Sequence, residues 1–391
     1  MMQQMFLGYG SGEISISAGA STEFKNTTCL YISSAYDSNS SKVVTAYWDL
    51  SNGEVVVGDV SGASITYGTP VQFNSGTTPH IGVGYESGYV VIAYRDDSNI
   101  KYGTAIVGTV SNTGVITLGG PIVFENGDTH YSSVVGVGGN QVVIAYQDES
   151  NSDLGKAVVG TLSGSGANAT IVFGNPVVFN ASGTSYISST YDSTNDKVVI
   201  AYRDGPVATP SSTAGKGVVG TVSGTGANAT INFGSDVTFN NSQAVYNSAV
   251  YDSTNGKVVI AYKDTGGTTG TGGHGAAVVG TVSGTSNDIT FGTPVSIGTS
   301  ATYLSAAYNS NNGKVFIAYQ DGQNSSNGTV IVGTASGTGA TATISFGSPF
   351  VFEPTNSSKM SAVYDSTNDK VVVAYETSTS RGNGIVITPG S

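Results

Sequence analysis

One phrase returns seven times along the chain, and that repetition restricts the fold more than any other feature. It reads YDSTNDKVVIAYRD at Tyr191–Asp204, YDSTNGKVVIAYKD at Tyr251–Asp264 and YNSNNGKVFIAYQD at Tyr308–Asp321. Further forms are YDSNSSKVVTAYWD from Tyr36, YVVIAYRD from Tyr89, QVVIAYQD from Gln141 and YDSTNDKVVVAYET from Tyr364. Its Ala-Tyr pair ends at Tyr47, Tyr94, Tyr146, Tyr202, Tyr262, Tyr319 and Tyr375, at intervals of 47, 52, 56, 60, 57 and 56 residues. Such a period belongs to architectures in which each copy buries its faces only against its neighbours.

Each copy reads as four strands. In the fourth they are A (YISSTYD, Tyr186–Asp192), B (KVVIAYRD, Lys197–Asp204), C (GKGVVGTVSG, Gly215–Gly224) and D (TINFGSDVTF, Thr230–Phe239). B and C are nearly continuous Val, Ile, Ala and Tyr, which suits sheets buried on both faces. A is rich in Ser and Ala, small enough for inner strands converging on an axis. D carries Gly-x-Pro in five copies, at Pro70, Pro121, Pro176, Pro294 and Pro349. Proline cannot donate to a ladder, so D is expected at the exposed rim.

The seventh copy stops after strand C, at GNGIVITPGS (Gly382–Ser391). Its missing D strand stands at the other end, where ISAGASTEF (Ile16–Phe24) aligns with ISFGSPFVF (Ile344–Phe352). The expected fold is an all-β, seven-bladed β-propeller with four-stranded antiparallel blades, closed by the N-terminal strand completing the last blade. Residues 14–391 form this domain, with 14–24 as the borrowed strand and A strands beginning near 31, 80, 131, 186, 246, 303 and 359. Residues 1–13 remain as a tail, a candidate docking segment.

Composition removes several functions. Net charge is −12, so the summed field opposes nucleic acid, and membrane insertion has no apolar run long enough to support it. A single cysteine, Cys29, rules out an intramolecular disulfide framework. The start, MMQQMFLGYGSG, lacks the pattern of a signal peptide.

The start of A, the end of B and the start of C share one end of each blade, here called the upper face. A begins with Tyr31, His80, Tyr131, Tyr186, Tyr246, Tyr303 or Lys359, and B closes with Asp49, Asp96, Asp148, Asp204, Asp264 or Asp321. One reading makes each Asp a turn cap and each Tyr an inter-blade packing residue. The other makes these twelve aromatic and acidic residues a ligand-binding ring, with sugars stacking on aromatic faces and donating to carboxylates. The B–C loops vary most, notably at Gly205–Gly215 and Thr265–Gly275, and variable loops on a rigid scaffold are frequent binding sites. No cofactor is expected. Ca²⁺ is the alternative, from acids near the axis or in the lower turn DSTND (Asp192–Asp196).

Catalytic signals are sparse. The three histidines, His80, His130 and His274, stand in no nucleophile or metal motif. Arg95 and Arg203 occupy one repeat position that elsewhere holds Trp48, Gln147, Lys263, Gln320 or Glu376, unlike the clustered arginines of a sialidase-like propeller. The Ser-x-Asp-x-Gly-x-Thr-Trp pattern of Asp-box enzymes is missing. The sequence-based expectation is a chain that is not an enzyme.

The phrase YDSTNDKVVIAYRD, followed by GKGVVGTVSG and FGSPFVF-like strands, resembles repeats of structural and tail-associated bacteriophage proteins, especially those of marine phages. That resemblance implies a virion-associated tail or fibre module, made in the host cytoplasm. Its implied partners are a host-surface glycan or other virion proteins, and it would be oligomeric within a particle. The alternatives are a lectin-like propeller outside a virus, and a polysaccharide-cleaving enzyme using upper-face carboxylates such as Asp204 and Asp264.

Overall fold

The computed structural model describes residues 15–205, 213–266 and 273–390. The 1–13 tail and most of the two long B–C loops lie outside those residues.

Seven A–B, seven B–C and seven C–D antiparallel pairings organise the chain into seven blades. In the fourth, A (Thr184–Asp192), B (Lys197–Asp204) and C (Ala214–Ser223) pair in sequence. D is expected as one strand, but it is two segments, Thr230–Phe233 and Val237–Asn240, both paired with C. The Gly-x-Pro or Gly-Ser-Asp step between them breaks the ladder. Pro121, Pro176, Pro294 and Pro349 are exposed there, as expected of an outer edge. Two strands run unbroken from the D of one blade into the A of the next, Ile122–Gly136 and Phe350–Asp365.

The ring closes as the sequence implies. Ile16–Ala18 and Thr22–Lys25 pair with the final strand, Gly382–Pro389, at registers Ile16↔Pro389 and Thr22↔Gly384. The last blade therefore has its outer strand, and the first and last blades meet around the axis.

Hydrogen bonds between inner strands hold that meeting. The Oγ of Ser33, Ser133, Ser188, Ser248, Ser305 and Ser361 accepts a backbone N–H from the next blade, at Val83, Ser189, Ala249, Ala306, Ala362 and Ser34, at 2.9–3.0 Å. The second blade has Gly82 at the serine position. A Cβ there would lie 2.5 Å from the Ser132 carbonyl oxygen, so the inner strands approach too closely for a side chain. Serine in strand A thus supplies small size and an acceptor for a neighbour's amide.

Farther out, B and C fill the core between blades: Val199, Ile200, Ala201 and Val219 have no exposed surface. At six seams a Phe from one blade's D strand packs on the buried Tyr of the next blade's B strand, as in Phe179–Tyr202 at 5.2 Å and Phe239–Tyr262 at 5.1 Å. Such tilted or edge-to-face pairs contribute about 0.5–1.5 kcal/mol beyond burial.

Candidate functional site

The upper end of six of the seven A strands is bulged, while in the second blade the strand begins only at Gly82, after His80. In the fourth blade the A–B register jumps between Ser185 and Ser188, and Tyr186 takes φ +50°. The equivalent residues Tyr31, His80, Tyr131, Tyr246, Tyr303 and Lys359 have φ between +52° and +57°. Non-glycine residues seldom adopt this region, and each instance costs roughly 1–3 kcal/mol unless its surroundings enforce it. A bulge re-aims a side chain. Here six bulges, and the segment before Gly82 in the second blade, present this column of side chains at the upper end.

Six of those side chains form a continuous aromatic collar. Ring centroids are 5.0 Å apart for Tyr31–His80, 5.2 Å for His80–Tyr131 and 5.1 Å for Tyr131–Tyr186. They are 5.4 Å apart for Tyr186–Tyr246 and 4.9 Å for Tyr246–Tyr303. Tyr31 is 39% exposed and the rest are half-buried, so the collar keeps a solvent-facing surface. Lys359 occupies the seventh place, its ammonium paired with the buried Glu376. Burial pushes the Tyr131 and Tyr246 hydroxyls up to about 12. Burial, followed by the neighbouring His130 and Arg95, holds His80 down to about 3. Tyr131, Tyr246 and His80 are therefore uncharged near neutral pH.

A charged seam adjoins it between the second and third blades. His130 stacks on His80 at 4.3 Å with an interplanar angle of 17°. Its Nε2 lies 3.1 Å from Asp128 Oδ1 and 2.8 Å from Glu149 Oε2, and also contacts Arg95 Nη1. Arg95 pairs with Asp97 at 2.6 Å and Asp128 at 3.3 Å, while Lys101 reaches Asp128 at 2.9 Å. Burial would raise the Asp128 carboxyl, but the Lys101 hydrogen bond and the Arg95 charge hold it below its ordinary range. Asp128, His130 and Glu149 have ligand atoms within 4.8 Å of one another, the donor set of a metal site. Arg95 and Lys101 already supply the counter-charge, which weighs against a second cation there.

The six repeat acids do not join the collar. Asp49 accepts from the Ser51 and Asn52 amides at 2.9 and 2.7 Å and pairs with Lys25 at 2.8 Å. Asp96 accepts from the Ser98 amide at 3.1 Å, and Asp148 pairs with Lys156 at 2.6 Å. Asp204 accepts from Asn180 Nδ2 and pairs with Lys216, both at 2.8 Å. Asp264 and Asp321 accept from the Gly266 and Gln323 amides, each at 3.1 Å. Asp49, Asp96, Asp264 and Asp321 thus cap turn amides, and Asp49, Asp148 and Asp204 pair with lysines. Asp204 and Asp264, the expected acids of a cleaving enzyme, are committed in this way. In the lower turn, Asp192 is similarly engaged with the Thr194 and Asn195 amides, both at 3.0 Å.

Sequence reasoning missed the seam. Its signal was a concentration of departures from the repeat in adjacent copies: Arg95, Asp97 and Lys101 in the second blade, then Asp128, His130 and Glu149 at the third.

No protein-family model and no curated protein matches the sequence. A solved structure of a Dyadobacter fermentans protein of unknown function is similar, with a TM-score of 0.56, 12% identity, and coverage of 96% of this chain and 99% of that one. The NanB–Optactamide complex has a TM-score of 0.53 and 11% identity, over 94% of this chain and 70% of that one. Trypanosoma rangeli sialidase with the inhibitor DANA has a TM-score of 0.49 and 13% identity, over 94% of this chain but 59% of the sialidase. The chain thus spans about three fifths of that protein. At such identities the likeness establishes the fold alone, a β-propeller. The expectation that this chain is not an enzyme does not stand, since sialidases and a leech trans-sialidase are among the structures with a similar fold; that fold by itself assigns no activity to this chain.

Proposed function

We propose that this chain is a carbohydrate-handling propeller that takes glycan at the upper mouth of its axis. The collar carries this reading: six contiguous aromatic side chains, held there by unfavourable backbone conformations, offer uncharged faces and hydroxyl donors to a sugar. The six repeat acids form no part of the ligand surface in this reading. The resemblance of the repeat to phage tail proteins supplies the proposed setting, a virion-borne module meeting a host-surface glycan.

A glycan array followed by titration calorimetry on the full chain tests it. Base–aromatic and sugar–aromatic contacts share the logic of face stacking, and losing such a face typically weakens binding by about 1–3 kcal/mol. Tyr131→Ala and Tyr246→Ala should therefore each weaken a bound glycan at least tenfold. Unchanged affinity in both variants would refute the collar as the binding surface.

The seam favours a second reading, glycoside cleavage of the bound glycan. Glycoside hydrolysis pairs a carboxylic acid with an ionised carboxylate, and Asp128, held ionised, stands beside the more open Glu149. Release of reducing sugar should fall at least a hundredfold in Asp128→Asn and Glu149→Gln while binding persists. Full turnover in both variants would exclude this pair.

A further inference from the structure

Asp148 differs from every other acid of its column. Asp49, Asp96, Asp204, Asp264 and Asp321 each use Oδ1 to accept from a turn amide or a neighbouring side chain. Asp148 is 3% exposed, and among the described residues its Oδ1 has no hydrogen-bond partner. The second blade makes the contrast direct. Asp96 and Asp148 each precede a short 3₁₀ turn, and Asp96 accepts from the Ser98 amide where Asp148 makes no such bond.

The sequence shows what removed the donors. Aligned on its Phe and its collar Tyr, FENGDTHY (Phe124–Tyr131) corresponds to FNASGTSY (Phe179–Tyr186). Asn180 and Ser182, which both donate to Asp204 Oδ1, are therefore replaced by Glu125 and Gly127. A Cβ at Gly127 would crowd Asp148 Oδ1 at 3.1 Å.

The same exchange brings in a second carboxylate. Lys156 Nζ lies 2.6 Å from Asp148 Oδ2 and 2.9 Å from Glu125 Oε2. The Tyr146 hydroxyl donates to that Glu125 oxygen at 2.7 Å, and Phe124 packs edge-on against the buried Tyr146 ring. An amine, a carboxyl group and a carboxylate able to relay protons are thus held together beside an apolar wall.

We propose that Lys156 and Asp148 condense to an isopeptide bond, with Glu125 as proton relay, cross-linking strands B and C of the third blade. Burial favours the neutral amine, but hydrogen bonds to Asp148 and Glu125 keep it protonated at rest, so the reaction starts from the ion pair. Glu125 takes one proton from the ammonium and delivers it to Asp148. The neutral Nζ then attacks Asp148 Cγ and forms the C–N bond. A second proton passes through Glu125 to the departing oxygen as one C–O bond breaks. One ammonium and one carboxylate become one amide and one water, Glu125 returns unprotonated, and no co-reactant is consumed. Well-oriented intramolecular reactants reach effective concentrations of about 10⁵–10⁸ M, which offsets the tendency of water to hydrolyse amides. The product also suits its surroundings: a buried carboxylate with an unpartnered oxygen becomes a neutral carbonyl, which costs less to bury. The cross-link does not depend on glycan recognition.

Mass spectrometry of the full chain under denaturing conditions reads the bond. The mass should lie one water below that of the sequence. Trypsin should fail to cut after Lys156, within a peptide that carries the same loss. Lys156→Arg keeps the positive charge without a condensable amine and should restore the full mass. Glu125→Gln removes the relay and should leave most chains uncrosslinked. Full sequence mass with ready cleavage after Lys156 in the native chain would overturn the proposal, and this readout stands even where a variant does not fold. Water loss that persists in Lys156→Arg would overturn it as well, and undiminished cross-linking in Glu125→Gln would remove Glu125 as the relay.

Discussion

The inner strand of the fifth blade ends below in Asp252 and begins above near Tyr246, and its two ends are organised differently. Below, Asp252 is fully buried: Oδ1 accepts from the Thr254 and Asn255 amides at 3.1 and 3.0 Å, and Oδ2 from Asn255 Nδ2 at 2.8 Å. Asp37, Asp192 and Asp365 do the same in their blades, and Asn309 caps two amides in the sixth. Each repeated acid there satisfies donors that would otherwise be buried without partners. Above, Tyr246 adopts φ +55° and leaves its ring half-exposed against two neighbouring rings. The lower residue is explained by what it stabilises. The upper one is repeated in spite of a conformational penalty, which points to the surface it builds.

The largest test of that contrast is Asp252→Ala. Removing the buried carboxylate strands two backbone amides and one side-chain amide, and each buried group left unsatisfied costs about 1–3 kcal/mol. A loss of about 2–4 kcal/mol is expected in urea unfolding, with glycan affinity unchanged in the folded protein. A loss below about 1 kcal/mol would mean that the lower turn is not the structural end of the strand.

The upper end should respond to acid. His80 has its folded pKa held down to about 3, against an ordinary value near 6.5 for a free histidine. The unfolded chain therefore binds a proton first. This contribution is fully present above pH 6.5 and is lost as pH falls toward 3, by up to about 1.4 kcal/mol per unit. His80→Tyr restores the repeat's own residue and leaves His130 in place. Between pH 7 and pH 5 the native chain should lose up to about 2 kcal/mol more stability than this variant, measured by urea unfolding at both values. Parallel losses would show that the His80–His130 stack is not the acid-sensitive part of the collar.

The sequence carried the architecture because repetition is visible without coordinates. Seven Ala-Tyr pairs, the Pro-marked D strands and the displaced Ile16–Phe24 segment located the blades, the rim and the closure. The collar's residues were legible as a repeated column, but its backbone was not: tyrosine is a poor predictor of positive φ, and the bulge arises from how A pairs with B. The serine hydrogen bonds were hidden for a related reason. Ser188 looked merely small, and its acceptor role exists only because Ala249 of the next blade is brought alongside. The seam was hardest, since Arg95, Asp128 and Glu149 come from two copies and meet only where those blades abut.

The smallest expected change in stability, and the sharpest separation of the two ends, comes from Tyr186→Gly. Deleting the ring removes its contacts with Tyr131 and Tyr246, each contributing about 0.5–1.5 kcal/mol. Glycine adopts φ near +50° without the steric penalty of a side chain, which returns roughly 1 kcal/mol or more. These contributions oppose each other in part, so net destabilisation should stay within about 2 kcal/mol by urea unfolding. Glycan affinity should nevertheless fall at least tenfold, because the collar is interrupted between Tyr131 and Tyr246. A large stability loss with binding intact would reverse the assignment, making Tyr186 a packing residue like the buried Tyr202 one strand away.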